Sequence, residues 1–388
     1  MKKKIAPISV LISTGIMFFL GSCTFPARYI YLNFPDVNDY KKLPNHPVSH
    51  DPSKSFRFKE NKDYNIAGLL PVSCGNNIVR DLDQFLTDTR TSAFIIIRND
   101  TVLFEKYYHG HTRSTLSKTF SISKNVMSAL IGIAIDEGLI ASVNDPVVKY
   151  IPELKDGRLS GMTIQNCLSL ASGIRADEGE IWPWNTKVRV YYSPNVRKLL
   201  SNISYDSEPG KTFHVEEMTP TLLGLVLERA TGIPVSAYLE KKIWKKLGME
   251  HDALWVVDSR REGFDMVNSG LTAIPMDMAK LARLMLENGK WENENIISEQ
   301  WIRRSTRPDT LSLSYWRNIE VYNGRDVYFN DMWWGLAGRN GVYEFNASGH
   351  FGQRLYIIPE KNAIVLRFGS SSGKIDWTAF IHNLSAKL

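Results

Sequence analysis

The sequence predicts an α+β fold: an antiparallel sheet flanked by helices, with a helical region inserted in the middle of the chain. Three observations carry this. Short β-branched runs pair across turn signals near residue 100 and again near residue 360. Between them, apolar residues recur mostly at helical spacing. A last helical pattern closes the chain. First and last strands sharing one sheet make the block between them an insertion.

Residues 24–76 are rich in Pro, Asn, Asp, Lys and Ser and have weak periodicity. They read as a tether that partly packs onto the main domain. Residues 78–85 suit a short helix. Residues 92–98 hold the run Ala93-Phe94-Ile95-Ile96-Ile97. Asn99-Asp100 is a turn signal and residues 102–108 form a second run, so a β-hairpin is expected. Over residues 121–138, Val126, Leu130, Ile133, Ala134 and Ile135 recur at helical spacing, with Gly138 as C-cap. Asp145-Pro146 opens a short segment up to Ile151-Pro152. From residue 162 to 301 the signal is mainly helical, with helices expected over 164–170, 222–230, 235–247 and 276–287. Strands return after about residue 317. Residues 354–358 and 363–368 flank the turn Pro359-Glu360-Lys361-Asn362, and 376–388 reads as the closing helix. The organisation is then 1–22 as a leader, 23–76 as an extension, and 77–388 as one domain whose helical region spans about 125–310.

The formal charge is +6, and Lys2, Lys3 and Lys4 supply half of it. No basic run interleaved with aromatics occurs elsewhere, which excludes a nucleic-acid partner as the working reading. Residues 5–20 are largely apolar and end in Leu20-Gly21-Ser22-Cys23. A positive start followed by an apolar stretch is a secretory signal. Small residues just before Cys23 resemble the lipobox of bacterial lipoproteins, in which that cysteine is diacylated. An uncleaved anchor helix or an ordinary signal is the alternative. Either way the rest of the chain leaves the cytoplasm; the lipobox reading places it in the bacterial cell envelope, facing the periplasm or exterior, where a pair of acyl chains at Cys23 would hold it stably on a membrane. Export permits a disulfide between Cys74 and Cys167, but Cys167 lies in an apolar helical pattern, so buried free thiols are the default.

Ser121 opens the predicted 121–138 helix and Lys124 stands one turn in, on the same face. A serine hydroxyl needs a base to take its proton. A desolvated lysine can be that base, and the free N–H groups of a helix N-terminus suit an oxyanion. Ser-x-x-Lys is weak by itself. Here it lies in Phe120-Ser121-Ile122-Ser123-Lys124, before an apolar run.

That stretch resembles the first motif of the serine β-lactamase and penicillin-binding-protein superfamily. The branch is that of class C β-lactamases, family VIII esterases and nylon-oligomer hydrolases. Leu168-Ser169-Leu170-Ala171-Ser172-Gly173, Pro209-Gly210 followed by Leu223-Gly224, Gly289-Lys290-Trp291 and Gly349-His350-Phe351-Gly352-Gln353 agree in order and spacing. The resemblance runs from about residue 78 to the C-terminus. It implies a β-lactamase/transpeptidase-like fold, an acylated nucleophile at Ser121, and Lys124 as its partner. It further implies His350-Phe351-Gly352 as the third motif. The N–H of Gln353 would then form the oxyanion hole with that of Ser121, and no cofactor or metal is expected.

The second motif departs from the family pattern. Relatives carry Tyr-x-Asn or Tyr-x-Ser, whereas Val215 stands at the tyrosine and Glu217 at the Asn/Ser position. Valine has no proton to give. His214, Glu216, Glu217, Tyr192 or Tyr205 could take the tyrosine's place. Lys124 could act with Ser121 alone, or catalysis could be lost and the cleft only bind. The expected function is hydrolysis of an ester or amide through a Ser121 acyl-enzyme. The alternative is an impaired lipoprotein that binds a cell-wall ligand or a protein partner. A small-molecule or cell-wall-derived substrate is expected, with Trp334 and Phe351 as candidate pocket walls. Trp182, Trp184 and Trp333 read as core, and His109-Gly110-His111 lacks a third ligand for a metal. Asp258-Ser259-Arg260-Arg261-Glu262 reads as a solvated loop.

Overall fold

A computed structural model describes residues 24–154, 159–175, 183, 185–308 and 326–388. Its centre is the hairpin β5 (Thr91–Arg98) and β6 (Thr101–Tyr107), joined as expected through Asn99 and Asp100, both at positive φ. β5 pairs with the last strand, β16 (Ala363–Gly369), so the two ends of the domain do share a sheet. The sheet continues through β15 (Gln353–Ile358), β14 (Tyr343–Gly349), β13 (Trp333–Ala337) and β12 (Asp326–Asn330), all antiparallel. At its other edge β2 (Lys59–Glu60) adds to β6 in parallel.

Both faces of this sheet are covered, which explains the unbroken apolar run of β5. Ala93, Ile95 and Ile97 point into the core under the central helices; Phe94 and Ile96 point into a second core. That second core is closed by α2 (Leu82–Asp88) and α10 (Trp377–Ser385). α2 starts later than residue 78 because Asp81 caps it, accepting from the Gln84 N–H at 3.0 Å. Asn77–Val79 instead forms β4, paired with β3 (Val72–Cys74).

The main core is built around α3 (Ile122–Asp136). Every residue from Ile122 to Ala134 is buried, so this helix is enclosed on all sides. Packed with it are α4 (Ile164–Leu168), α6 (Met218–Thr231), α7 (Val235–Leu239), α8 (Pro275–Leu286) and α9 (Glu299–Thr306). The middle of the chain is less purely helical than its periodicity implies. It contributes β8 (Ala253–Val256) and β9 (Leu271–Ala273) to a small sheet in the order β1-β8-β9-β7, and a short hairpin of β10 (Lys290–Trp291) and β11 (Glu294–Asn295). β1 is Asn45–Val48 and β7 is Ser117–Lys118.

The expected tether is part of the fold from Phe25 onward. α1 (Phe25–Leu32) packs on α5 (Thr186–Tyr192), and Leu32, Tyr40 and Leu43 share a core with Val188, Tyr191 and Tyr192. Its elements are short and held by distant partners, so periodicity could not reveal them. Cys74 and Cys167 are buried free thiols. Asp258 is not a solvated residue: it is buried and accepts from the N–H groups of Val196, Ser259 and Phe264. Cys23, Trp182 and Trp184 lie outside the described residues.

Candidate active site

Ser121 is the N-cap of α3, reached through a tight turn. Phe120, just before it, has φ +51°, a left-handed conformation unfavourable for a bulky side chain. Neighbouring bonds hold the turn. Thr119 donates to Leu271 O from its N–H at 3.0 Å and from Oγ1 at 2.8 Å. Ser123 Oγ donates to Phe120 O at 2.7 Å and accepts the Leu271 N–H at 3.1 Å. Among the described residues no carbonyl accepts the Ser121 N–H, so it remains available to an oxyanion.

Lys124 follows one turn later and is 7% exposed. Its Nζ makes an ion pair with Glu217 Oε2 at 2.9 Å. Glu217 ends the approach to α6, where the expected second motif falls.

These groups face one cavity of about 380 Å³, within the range of small-molecule sites. Ser121, Lys124, Val215, Glu217, His350 and Trp334 all line it. Trp334 forms an apolar wall with Phe329, their rings 5.0 Å apart. Asn185, Lys187, Val188, Tyr191 and Tyr192 also line the cavity, with Pro35 from the extension. Asn125, Asn268, Ser269 and Ser348 add polar groups.

Several expected site residues are elsewhere. Glu216 is buried as the cap of α6, accepting the Met218 and Thr219 N–H groups, and burial pushes its carboxyl up to about 7. It does not line the cavity, and neither does His214, whose N–H donates to Leu170 O. Tyr205 is also outside the cavity lining. Tyr192 lines it, but its hydroxyl donates to Asn33 O. Phe351 is not a pocket wall: it has φ +61° and packs edge-on against Phe120, 5.5 Å between rings. Trp333 is buried in the core.

The third motif forms a tight turn between β14 and β15. Gly349 lies so close to the turn before Ser121 that a Cβ there would stand 2.4 Å from Thr119 O. Gly352 has φ +79°, and a Cβ would meet Trp377 Cδ1 at 2.6 Å. The Gln353 N–H is donated to His350 O within this turn, which corrects the expectation that it completes an oxyanion hole. His350 is the motif residue that lines the cavity. Partial desolvation, then Lys187 and Lys118, hold its pKa below the ordinary histidine value, so the ring is neutral at pH 7.

A buried network that no motif marks lies next to the Ser121 turn. Lys118 Nζ donates to Tyr191 Oη at 2.8 Å, and Tyr191 donates to Asp39 Oδ2 at 2.8 Å. The Lys118 ammonium also lies over the Phe120 ring, 5.0 Å from its centroid. Full burial brings the Lys118 pKa down to about 8. A buried-face lysine on a two-residue strand carries no periodic signal, and Asp39 lies far away in the sequence.

The model of the family described as Beta-lactamase matches residues 78–376. The chain belongs to the Beta-lactamase family. The 6-aminohexanoate-dimer hydrolase of Paenarthrobacter ureafaciens is 25% identical over 307 residues, covering 75% of each chain. A Bacillus anthracis structure provisionally named a 6-aminohexanoate-dimer hydrolase superposes with TM-score 0.74 at 19% identity, covering 92% of each chain. A class C β-lactamase structure superposes with TM-score 0.59 at 17% identity, covering 79% of this chain and 94% of that one. Family and fold agree with the resemblance drawn from the motifs: this is a β-lactamase/transpeptidase-like α+β chain of a hydrolase family.

Proposed function

We propose that the chain is a serine hydrolase that cleaves an ester or amide bond through an acyl-enzyme on Ser121. One observation carries the reading: Ser121, at a helix N-terminus, shares a small-molecule-sized cavity with the Lys124–Glu217 ion pair. Ser121 Oγ attacks the substrate carbonyl. Its proton passes to Lys124 as Lys124 gives one to Glu217, so the pair ends as an ammonium beside a neutral carboxylic acid, its charge balanced by the oxyanion on the substrate. The oxyanion is held by the N–H of Ser121. One such donor contributes about 3 kcal/mol of transition-state stabilisation. The proton then returns to the leaving alcohol or amine, and water releases the acyl group by the same steps in reverse. Glu217 thus takes part in the proton movement that Val215 cannot support. The hydrolase relatives support the reaction class.

One feature favours a second reading. Glu217 holds the Lys124 side chain in an ion pair, and the cavity has Val215 where a tyrosine is expected. A cleft so altered would bind a cell-wall ligand or a protein partner without turnover. Labelling with a fluorophosphonate probe separates the two. Labelling that disappears in Ser121→Ala supports the hydrolase; folded protein that neither labels nor turns over chromogenic esters or β-lactams refutes it. Cys23 is proposed as the diacylated residue that holds the protein to the bacterial envelope, on the sequence pattern around it.

A further inference from the structure

Helix α1 packs one side on the protein and carries exposed apolar side chains on the other. Its inner side carries buried Arg28 and Leu32, with Arg28 Nη1 donating to Ser193 O at 3.2 Å. Phe25 and Tyr29 lie edge-on against Tyr192, rings 6.5 and 5.3 Å apart. Its outer side carries Ile30, 72% exposed, and Tyr31, 42% exposed. Phe34, just past the helix, is 66% exposed. Six large hydrophobic residues are exposed among the described residues, and these five positions hold three of them. Between Thr24 and Pro35 the only charged side chain is Arg28, which faces inward.

The sequence indicates what covers this face. Thr24 alone separates α1 from Cys23, the residue read as acylated. One residue spans at most about 3.6 Å, so acyl chains on Cys23 would enter the bilayer beside the start of α1. A helix held there meets the membrane with whichever face is not packed on the protein. An uncharged face of isoleucine, tyrosine and phenylalanine fits the bilayer interface. Pro35, next to Phe34, lines the cavity, as does Tyr192 beneath α1. One wall of the cavity therefore lies next to this face.

We propose that the outer face of α1, with Phe34, lies in the bilayer interface. The proposal rests on acylation at Cys23 and is independent of whether Ser121 turns over. The full-length protein is reconstituted into phosphatidylethanolamine–phosphatidylglycerol vesicles, and Ile30→Cys and Phe34→Cys are labelled with an environment-sensitive fluorophore. Ile78→Cys and Leu139→Cys, at exposed sites elsewhere, serve as references. Cys74 and Cys167 are buried, and the unsubstituted protein gives the background. The expected result is blue-shifted emission at 30 and 34, quenched by brominated lipid at least several-fold more than at 78 and 139. Equal quenching at all four positions in vesicle-bound protein overturns the proposal. So does a blue shift at 30 and 34 that grows with protein concentration without lipid, which would assign the face to a second copy. Protein that fails to float with vesicles overturns both the proposal and the anchor. Fluorophosphonate labelling of the same samples reports the hydrolase reading separately.

Discussion

Replacing Lys118 by methionine tests how the buried network behind Ser121 is charged. Methionine keeps the length of the side chain and its apolar stem but removes the ammonium. In the folded protein the lysine pKa is down at about 8, against an ordinary value of 10.5, because the group is fully buried. The folded state therefore releases this proton first. Between about pH 8 and 10.5 the unfolded chain binds more protons than the folded one, so the lysine's contribution to stability rises with pH. A gap of about 2.5 units corresponds to about 3 kcal/mol. Methionine does not titrate, so the stability deficit of Lys118→Met should be smallest near neutral pH. There the wild type bears the cost of a buried ammonium, offset by the bond to Tyr191 and by Asp39. The deficit should grow by about 3 kcal/mol on going from about pH 7 to about pH 10.5. Urea unfolding of both proteins at a series of pH values gives the difference directly, with other titrating groups largely common to both. A difference that stays flat over that range, or shrinks, would refute the reasoning.

The neighbouring glutamates should separate by role. Glu217→Gln removes the partner of Lys124 and should lower kcat/KM for an activated ester at least tenfold; unchanged turnover would remove Glu217 from the mechanism. Glu216→Gln should leave labelling of Ser121 intact and act on stability. The folded pKa of Glu216 is raised to about 7, so its favourable contribution is present below about pH 4.5 and lost as pH rises through about 7. The wild type should therefore lose up to about 3 kcal/mol relative to this variant across that range, and parallel stability curves would contradict the assignment. Gly352→Ala forces a side chain into a left-handed turn and against Trp377. It should lower stability by about 1–3 kcal/mol and weaken probe labelling, and a wild-type melting curve would count against the turn geometry.

Local signals in the sequence were enough for the hairpin at residues 91–107, the last strand pair and the helix after Ser121. Each rests on local signals: alternation or apolar runs, turn residues and caps, all within a few positions. The motif positions also marked the approach to α6 as part of the site, and Glu217 does reach Lys124. Tertiary structure alone decided which of three adjacent residues does so. Glu216 turned inward to cap α6, Val215 and Glu217 turned to the cavity, and a single step along the chain reverses such an outcome. It likewise decided that the Gln353 N–H is used within its own turn, because the loop after Gly349 folds back on His350 O. The extension shows the same limit most plainly. Composition made residues 24–76 look like a tether, yet Asp39 completes a buried chain of hydrogen bonds to Lys118 and Pro35 walls the cavity. Those contacts join residues far apart in sequence, and only the packed chain brings them within bonding distance.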